Sequence, residues 1–266
     1  MHSFPPDDIK NLPVRIAFNT ANLVARATGY RFSMKNWGEQ HEKTVAATNE
    51  KEWSAICSEI AAAGFDAVEV WLAHCDPRVT TEARARALRR ILDDNGLAPI
   101  GLAGALTDAS ARICQWMGIP AANGGLWGTS LADVRRIVAA TGLRCNYENH
   151  PERSVEEIRD RIEGGSPGVG LCIDTGWLAT QGIDAAAAIG SLGALVQHVH
   201  VKDVSEPGSH LTCPLGDGCA GIPAVIAALK KIGYKGWYSW EDEPENRNPM
   251  LIARQMRQWI ARELER

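Results

Sequence analysis

The sequence predicts an α/β fold, a single (β/α)8 TIM barrel forming one domain over residues 1–266, with a long loop between its first strand and first helix. Three observations predict it. Apolar, strand-like runs recur near residues 14–19, 67–73, 98–103, 119–123, 143–148, 169–174, 196–202 and 236–241, each followed by a helix or helical turn. Eight such units over about 250 residues are the count of a closed barrel. Gly64-Phe65, Gly96-Leu97, Gly118-Ile119, Gly142-Leu143 and Gly233-Tyr234 each end a helix and open an apolar run, because glycine takes the left-handed cap without steric cost. The doubly wound open sheet is the alternative, but no Gly-x-Gly-x-x-Gly follows the first strand.

In order, Val14 to Asn19 is a short strand. From Thr20 to about Thr48 no long amphipathic period is readable, and a connection of that length is a lid or binding loop or else disordered; Tyr30, Phe32 and Trp37 favour the lid. Asn49 and Glu52 form a capping box for a helix with an inner stripe of Trp53, Ile56 and Ile60. Further stripes run through Ala85, Leu88 and Leu92, through Leu131, Val134 and Val138, through Val155, Ile158 and Ile162, and through Ile252, Met256 and Ile260. Trp53, Trp116 and Trp259 lie on such stripes as core residues. The seventh strand, Val196 to Asp203, alternates so that His198, His200 and Lys202 share one face.

Composition narrows the partners. With 45% hydrophobic and 23% charged residues and a net charge of −4, the chain has no basic footprint for nucleic acid or an anionic membrane. No apolar run is long enough to span a bilayer, and Met1 to Asp8 lacks the basic start and apolar core of a signal peptide. Seven cysteines without a Cys-x-x-Cys pair read as reduced thiols, so a cytoplasmic location is expected.

Barrel enzymes carry their chemistry at the carboxyl ends of the strands. There the chain places Glu148, Asp174, His200 and Glu241 on strands five to eight. Three carboxylates converging on one point repel unless a cation neutralises them. Oxygen-rich ligation with one imidazole suits Mn²⁺, Mg²⁺ or Co²⁺ better than structural Zn²⁺, which prefers thiolates and tetrahedral closure. The competing reading, acids that merely cap the following helices, covers one or two of them and not all four.

Glu148-Asn149-His150-Pro151, Cys172-Ile173-Asp174-Thr175-Gly176, His198-Val199-His200-Val201-Lys202-Asp203 and Trp240-Glu241-Asp242-Glu243 occur in that order across nearly the whole chain. Together they resemble the sugar phosphate isomerase/epimerase family of the xylose-isomerase-like TIM barrel superfamily. The resemblance implies that Glu148, Asp174, His200 and Glu241 hold one divalent metal, with Glu148 and Glu241 doubling as proton-transfer groups, as in the ketose 3-epimerases. Many relatives have His three residues after the strand-six Asp, where this chain has Trp177. That departure argues against a multinuclear zinc cluster and frees Trp177 to stack on a sugar.

The activity so implied is a metal-dependent sugar isomerase or epimerase acting on a keto sugar by α-proton abstraction through a metal-stabilised enediolate. The alternative is a lyase or dehydratase that eliminates from a 3-keto-glycoside, keto-inositol or similar substrate at the same site. Trp37, Trp127 and Trp177 lie on loops at the strands' carboxyl side, where aromatic faces suit a sugar ring; Trp37 and Trp177 join His74, His150, His198 and Lys202 as substrate-binding candidates. Glu69 reads as an inner-face acid serving packing more than chemistry. Leu215-Gly216-Asp217-Gly218 occupies the region of a phosphate nest, yet its acid repels a dianion, so a free or glycosidic sugar is the expected partner. A repair nuclease on the same barrel would need more histidines and a basic groove. A catalytically silent sugar-binding barrel would have little reason to keep the converging acids. Homo-oligomer formation is compatible with the sequence and not specified by it.

Overall fold

The computed structural model describes residues 15–266. The strands are β1 (Ile16–Asn19), β2 (Ala67–Trp71), β3 (Ala98–Ala103), β4 (Ala121–Gly124), β5 (Arg144–Glu148), β6 (Val169–Asp174), β7 (Val196–Val201) and β8 (Tyr238–Trp240). All are parallel, each pairs with the next, and β8 closes on β1 with Phe18 opposite Trp240. This is the expected TIM barrel. Val14, the first residue of the expected first strand, lies outside the described residues.

The five glycine joints adopt the left-handed conformation, with φ from 67° at Gly96 to 94° at Gly64. The helix stripes face inward as read: Trp53, Ile56 and Ile60 are buried on α2 (Glu50–Ala62), and the Trp53 indole donates to the Leu88 carbonyl on α3 (Glu82–Asp94). Trp116 and Trp259 pack against the core while partly exposed. All seven cysteines are free. Among the described residues no helix is long and apolar enough to cross a membrane.

Two local readings are corrected. The stretch from Thr20 to Thr48 is not without regular structure: three 3-10 turns lead into the helix α1 (Trp37–Ala47). Its buried positions are Gln40 and Thr44, so the inward face carries no apolar period to read. The capping box at Asn49 is only half made. Asn49 accepts from the Glu52 amide at 3.0 Å, but the Glu52 carboxylate turns away to Arg26 at 2.6 Å. A complete box instead opens α4 (Asp108–Met117), where Thr107 and Ser110 cap each other.

Outside the barrel, residues 203–204 and 212–213 form a small antiparallel hairpin. The buried Asp203 carboxylate accepts from the amides of Gly216, Gly218 and Ala220, which binds the following loop to the end of β7.

Candidate metal and sugar site

The site grows from strand ends. Glu148 ends β5, Asp174 ends β6, His200 lies near the end of β7, and Glu241 immediately follows β8. All four are buried, and one donor atom from each lies within 4.8 Å of the others. His200 Nδ1 is 2.7 Å from Glu148 Oε1 and 3.2 Å from Glu241 Oε2. Two of the carboxylates are aimed by neighbours outside the four. Asn19 donates to Glu241 Oε1 at 2.8 Å, and the Trp177 amide at the start of the short helix Thr175–Thr180 donates to Asp174 Oδ1 at 2.9 Å. Asn149 clamps the backbone of Asp174 from both sides, accepting from its amide and donating to its carbonyl.

Lys202 enters the same cluster. Its Nζ lies 2.5 Å from Glu243 Oε2, 3.3 Å from Asp174 Oδ2 and 3.5 Å from Glu241 Oε2. The Asp-Thr-Gly sequence makes room for it. Thr175 Oγ1 holds the Lys202 backbone, and a Cβ at Gly176 would come within 2.8 Å of the lysine stem.

Below this layer, Glu69 on β2 faces His198 Nε2 at 2.8 Å and His200 Nε2 at 3.1 Å, and accepts from Asn123 at 2.7 Å. A shift in register between Val68 and Glu69 pairs Glu69 with Gly101, where any Cβ would come within 2.5 Å of Asn123 Nδ2. The interior thus has an upper and a lower polar layer, with His200 belonging to both.

Burial works against charge throughout, and the neighbours decide the outcome. Burial opposes the His200 imidazolium, but the carboxylates of Glu241, Glu69 and Glu148 hold its pKa well above the ordinary value. Cys172 beside it is neutral, because burial pushes its thiol far up. Burial would raise Glu69, yet His198 and His200 hold it well below the usual range. Lys202 is likewise held protonated against burial by Asp174, Glu241 and Glu243. Burial drives Glu243 up to about 8, with Lys202 opposing and Glu241 adding.

The donor set fits a divalent cation. Five buried carboxyl groups, Glu69, Glu148, Asp174, Glu241 and Glu243, face one lysine and two histidines. A hard dication would supply the balance, held by oxygen donors and one imidazole nitrogen.

Glu148, His200, Lys202 and Glu241 open into a cavity of about 490 Å³, together with Trp37, His150 and Trp177. Three candidates do not line it, the first being Asp174, whose carboxylate is held by the Trp177 amide and Lys202. His74 lies in a 3-10 turn beyond β2, packed between Trp53 and Trp71, with Nδ1 3.1 Å from Thr48 Oγ1. Burial pushes its pKa down to about 4, and it is a neutral core residue. His198 shares the face of His200 but sits one pair deeper, on Glu69.

Several cavity residues escape sequence reading. Glu243 shares parity with Glu241 and was findable on that ground. His41 on α1 and His210, which stacks on Trp177 at 3.8 Å, lie in segments with no readable period. The contact of Glu69 with His200 needs the closed ring.

Fold and site together define an enzyme-type TIM barrel with a buried acid and imidazole cluster at the carboxyl ends of its strands. The chain belongs to the xylose isomerase-like TIM barrel family, whose model matches residues 110–263. It is similar to the rhizopine catabolism protein MocC of Rhizobium meliloti, 27% identical over 158 residues that cover 51% of this chain and 48% of that protein. It is also similar to the inosose dehydratase of Geobacillus kaustophilus (strain HTA426), 28% identical over 149 residues covering 47% and 48%. The chain spans about half the length of the curated relatives it matches. Its fold resembles that of L-ribulose 3-epimerase, with a TM-score of 0.68 at 19% identity over 95% of each chain.

Proposed function

We propose that the protein is a divalent-metal-dependent sugar isomerase or epimerase that moves the α-proton of a keto sugar. The observation that carries this reading is the pair Glu148 and Glu241, brought from strands three apart in the ring to 2.7 and 3.2 Å from the same nitrogen, His200 Nδ1. Glu148, Asp174, His200 and Glu241 would hold one ion, Mn²⁺ before Mg²⁺ or Co²⁺. When bound, it supplies Lewis-acid polarisation of the substrate carbonyl.

The remaining chemistry belongs to the chain. One of the two glutamates takes the proton from one face of the sugar, and the other returns a proton from the opposite face or to the neighbouring carbon. Asn19 fixes the Glu241 carboxylate, and Lys202 keeps positive charge beside it. His150 and Trp177 bound the cavity next to Glu148.

A second reading is elimination on the same site, as in a dehydratase. Lys202 favours it, since an ammonium facing the cavity beside Glu243 can protonate a departing hydroxyl or alkoxide. Proton exchange at the α-carbon in D₂O, followed by NMR over a panel of ketoses and 3-keto-glycosides with and without EDTA, separates these outcomes. EDTA-sensitive deuterium incorporation with a new sugar isomer supports isomerisation or epimerisation, and release of water or an aglycone supports elimination. Absence of exchange from every substrate with the metal-loaded protein would remove both.

A further inference from the structure

We propose that the substrate is a keto sugar joined to a flat aryl aglycone and bearing no phosphate, with the aglycone lying on Trp127. This rests on the sugar-enzyme reading above. The cavity has two unlike ends. Beyond the buried charged cluster its lining includes Met34, Trp37, Leu72, Pro77 and Trp127, none of them charged and each at least partly exposed. Cavities of roughly 300–1,000 Å³ take ligands of drug size, and about 490 Å³ exceeds the room that one six-carbon sugar fills.

A line of contacts leads outward from the chemistry. Glu148 Oε2 lies 3.9 Å from His150 Nε2, and the His150 ring meets Trp127 edge-on at 5.0 Å. A sugar whose carbonyl sits at the carboxylates lies against His150, and its outward substituent meets Trp127.

Trp127 is built as a platform. It is 59% exposed, yet it is seated, because a Cβ at Gly125 would come within 2.6 Å of its Cε2. Only glycine lets the indole lie this close to the backbone. Trp177 differs, since His210 stacks on it at 3.8 Å and 20°. Trp37 and Trp71, 5.3 Å apart, follow β1 and end β2, across the ring from β5 and β6. They wall the far side of the mouth. A planar apolar group in this slot gains stacking and burial that a bare sugar leaves unused.

The described cavity lining leaves no spare lysine or arginine for a phosphate. Lys202 is the sole lysine or arginine among the described residues lining the cavity, and three carboxylates already engage it. Barrel enzymes commonly bind phosphate on the loops after strands seven and eight. Here the amides of Gly216 and Gly218 in the loop after β7 are spent on Asp203.

The test measures binding and turnover separately on the Mn²⁺-loaded protein, using phenyl and methyl 3-keto-β-glucopyranosides and the 6-phosphate of the methyl compound. Tryptophan fluorescence titration is expected to show the phenyl compound binding about tenfold tighter than the methyl, a margin set by one aromatic contact plus its buried area, and the phosphate binding weaker than either. Trp127→Ala is expected to bring the phenyl preference to within about twofold. Gly125→Ala, which keeps the indole but dislodges it, should weaken the preference as well. An equal affinity of the two glycosides, a preference that survives Trp127→Ala, tightest binding by the phosphate, or no binding by any probe overturns the inference. Exchange in D₂O without phenyl preference leaves the proposed function standing and removes the aglycone; phenyl preference without exchange does the reverse.

Discussion

His198 and His200 stand two residues apart on the same face of β7, both buried, and their surroundings make them different chemical objects. His198 meets the Glu69 carboxylate at 2.8 Å in a lower layer that Asn123 and Asn146 complete with hydrogen bonds of 2.7 Å. There each strong acceptor has a donor. His200 has Glu69 on one nitrogen and both Glu148 and Glu241 on the other, in a layer with more carboxylates than cations that opens to the cavity. A buried polar group whose needs are met within the protein stabilises it, whereas a surplus of like charge at a cavity wall awaits a ligand. Residue type and burial do not separate the two; the local balance of donors and acceptors does.

Substitutions in the two layers are expected to have unlike effects, largest in the upper one. Glu148→Gln keeps the shape and removes the proposed proton carrier, so α-proton exchange is expected to fall by about 10²- to 10⁴-fold while circular dichroism stays unchanged. A loss smaller than tenfold would take Glu148 out of proton transfer. Glu69→Gln leaves the upper donors in place but removes the carboxylate behind His200 Nε2, and Mn²⁺ affinity measured by calorimetry should drop by roughly 10- to 100-fold.

His74 is a third case, a buried histidine in neither layer, packed between Trp53 and Trp71. Its pKa is lowered by burial from 6.5 to about 4, so the unfolded chain binds its proton first as the pH drops. Stability is therefore full above about pH 6.5 and falls progressively down to about pH 4. The loss is about 3 kcal/mol at most, from the shift of the one group. His210, lowered to about 3 by burial, adds to the same acid-side slope. Urea melts of His74→Gln should show a flatter dependence over that window, and an unchanged slope would assign the acid sensitivity elsewhere. The smallest effect belongs to the cap of α4. Thr107→Ala removes one half of the box and should cost about 1 kcal/mol with no change in metal affinity.

The barrel is largely legible in the sequence because its signals are local. A left-handed glycine after each of five helices and apolar runs between them require only backbone sterics and burial. The first helix is not legible, because α1 turns Gln40 inward, where Thr28 donates to it at 3.0 Å, and a polar inner face leaves no hydrophobic period. The same limit separates His74 from His150. Both follow strand ends in the sequence, but a 3-10 turn takes one into the core and leaves the other on the cavity wall.

Strand parity and chain order suffice for the eight-fold alternation and for the placing of Glu148, Asp174, His200 and Glu241 at successive strand ends, since neither requires long-range information. That Glu69, from the far side of the barrel, lies behind His200, and that Lys202 meets three carboxylates, follows only from how the strands assemble. Those contacts depend on ring closure and on the register shift beside Glu69, which come from packing whole strands against one another. No single segment encodes them.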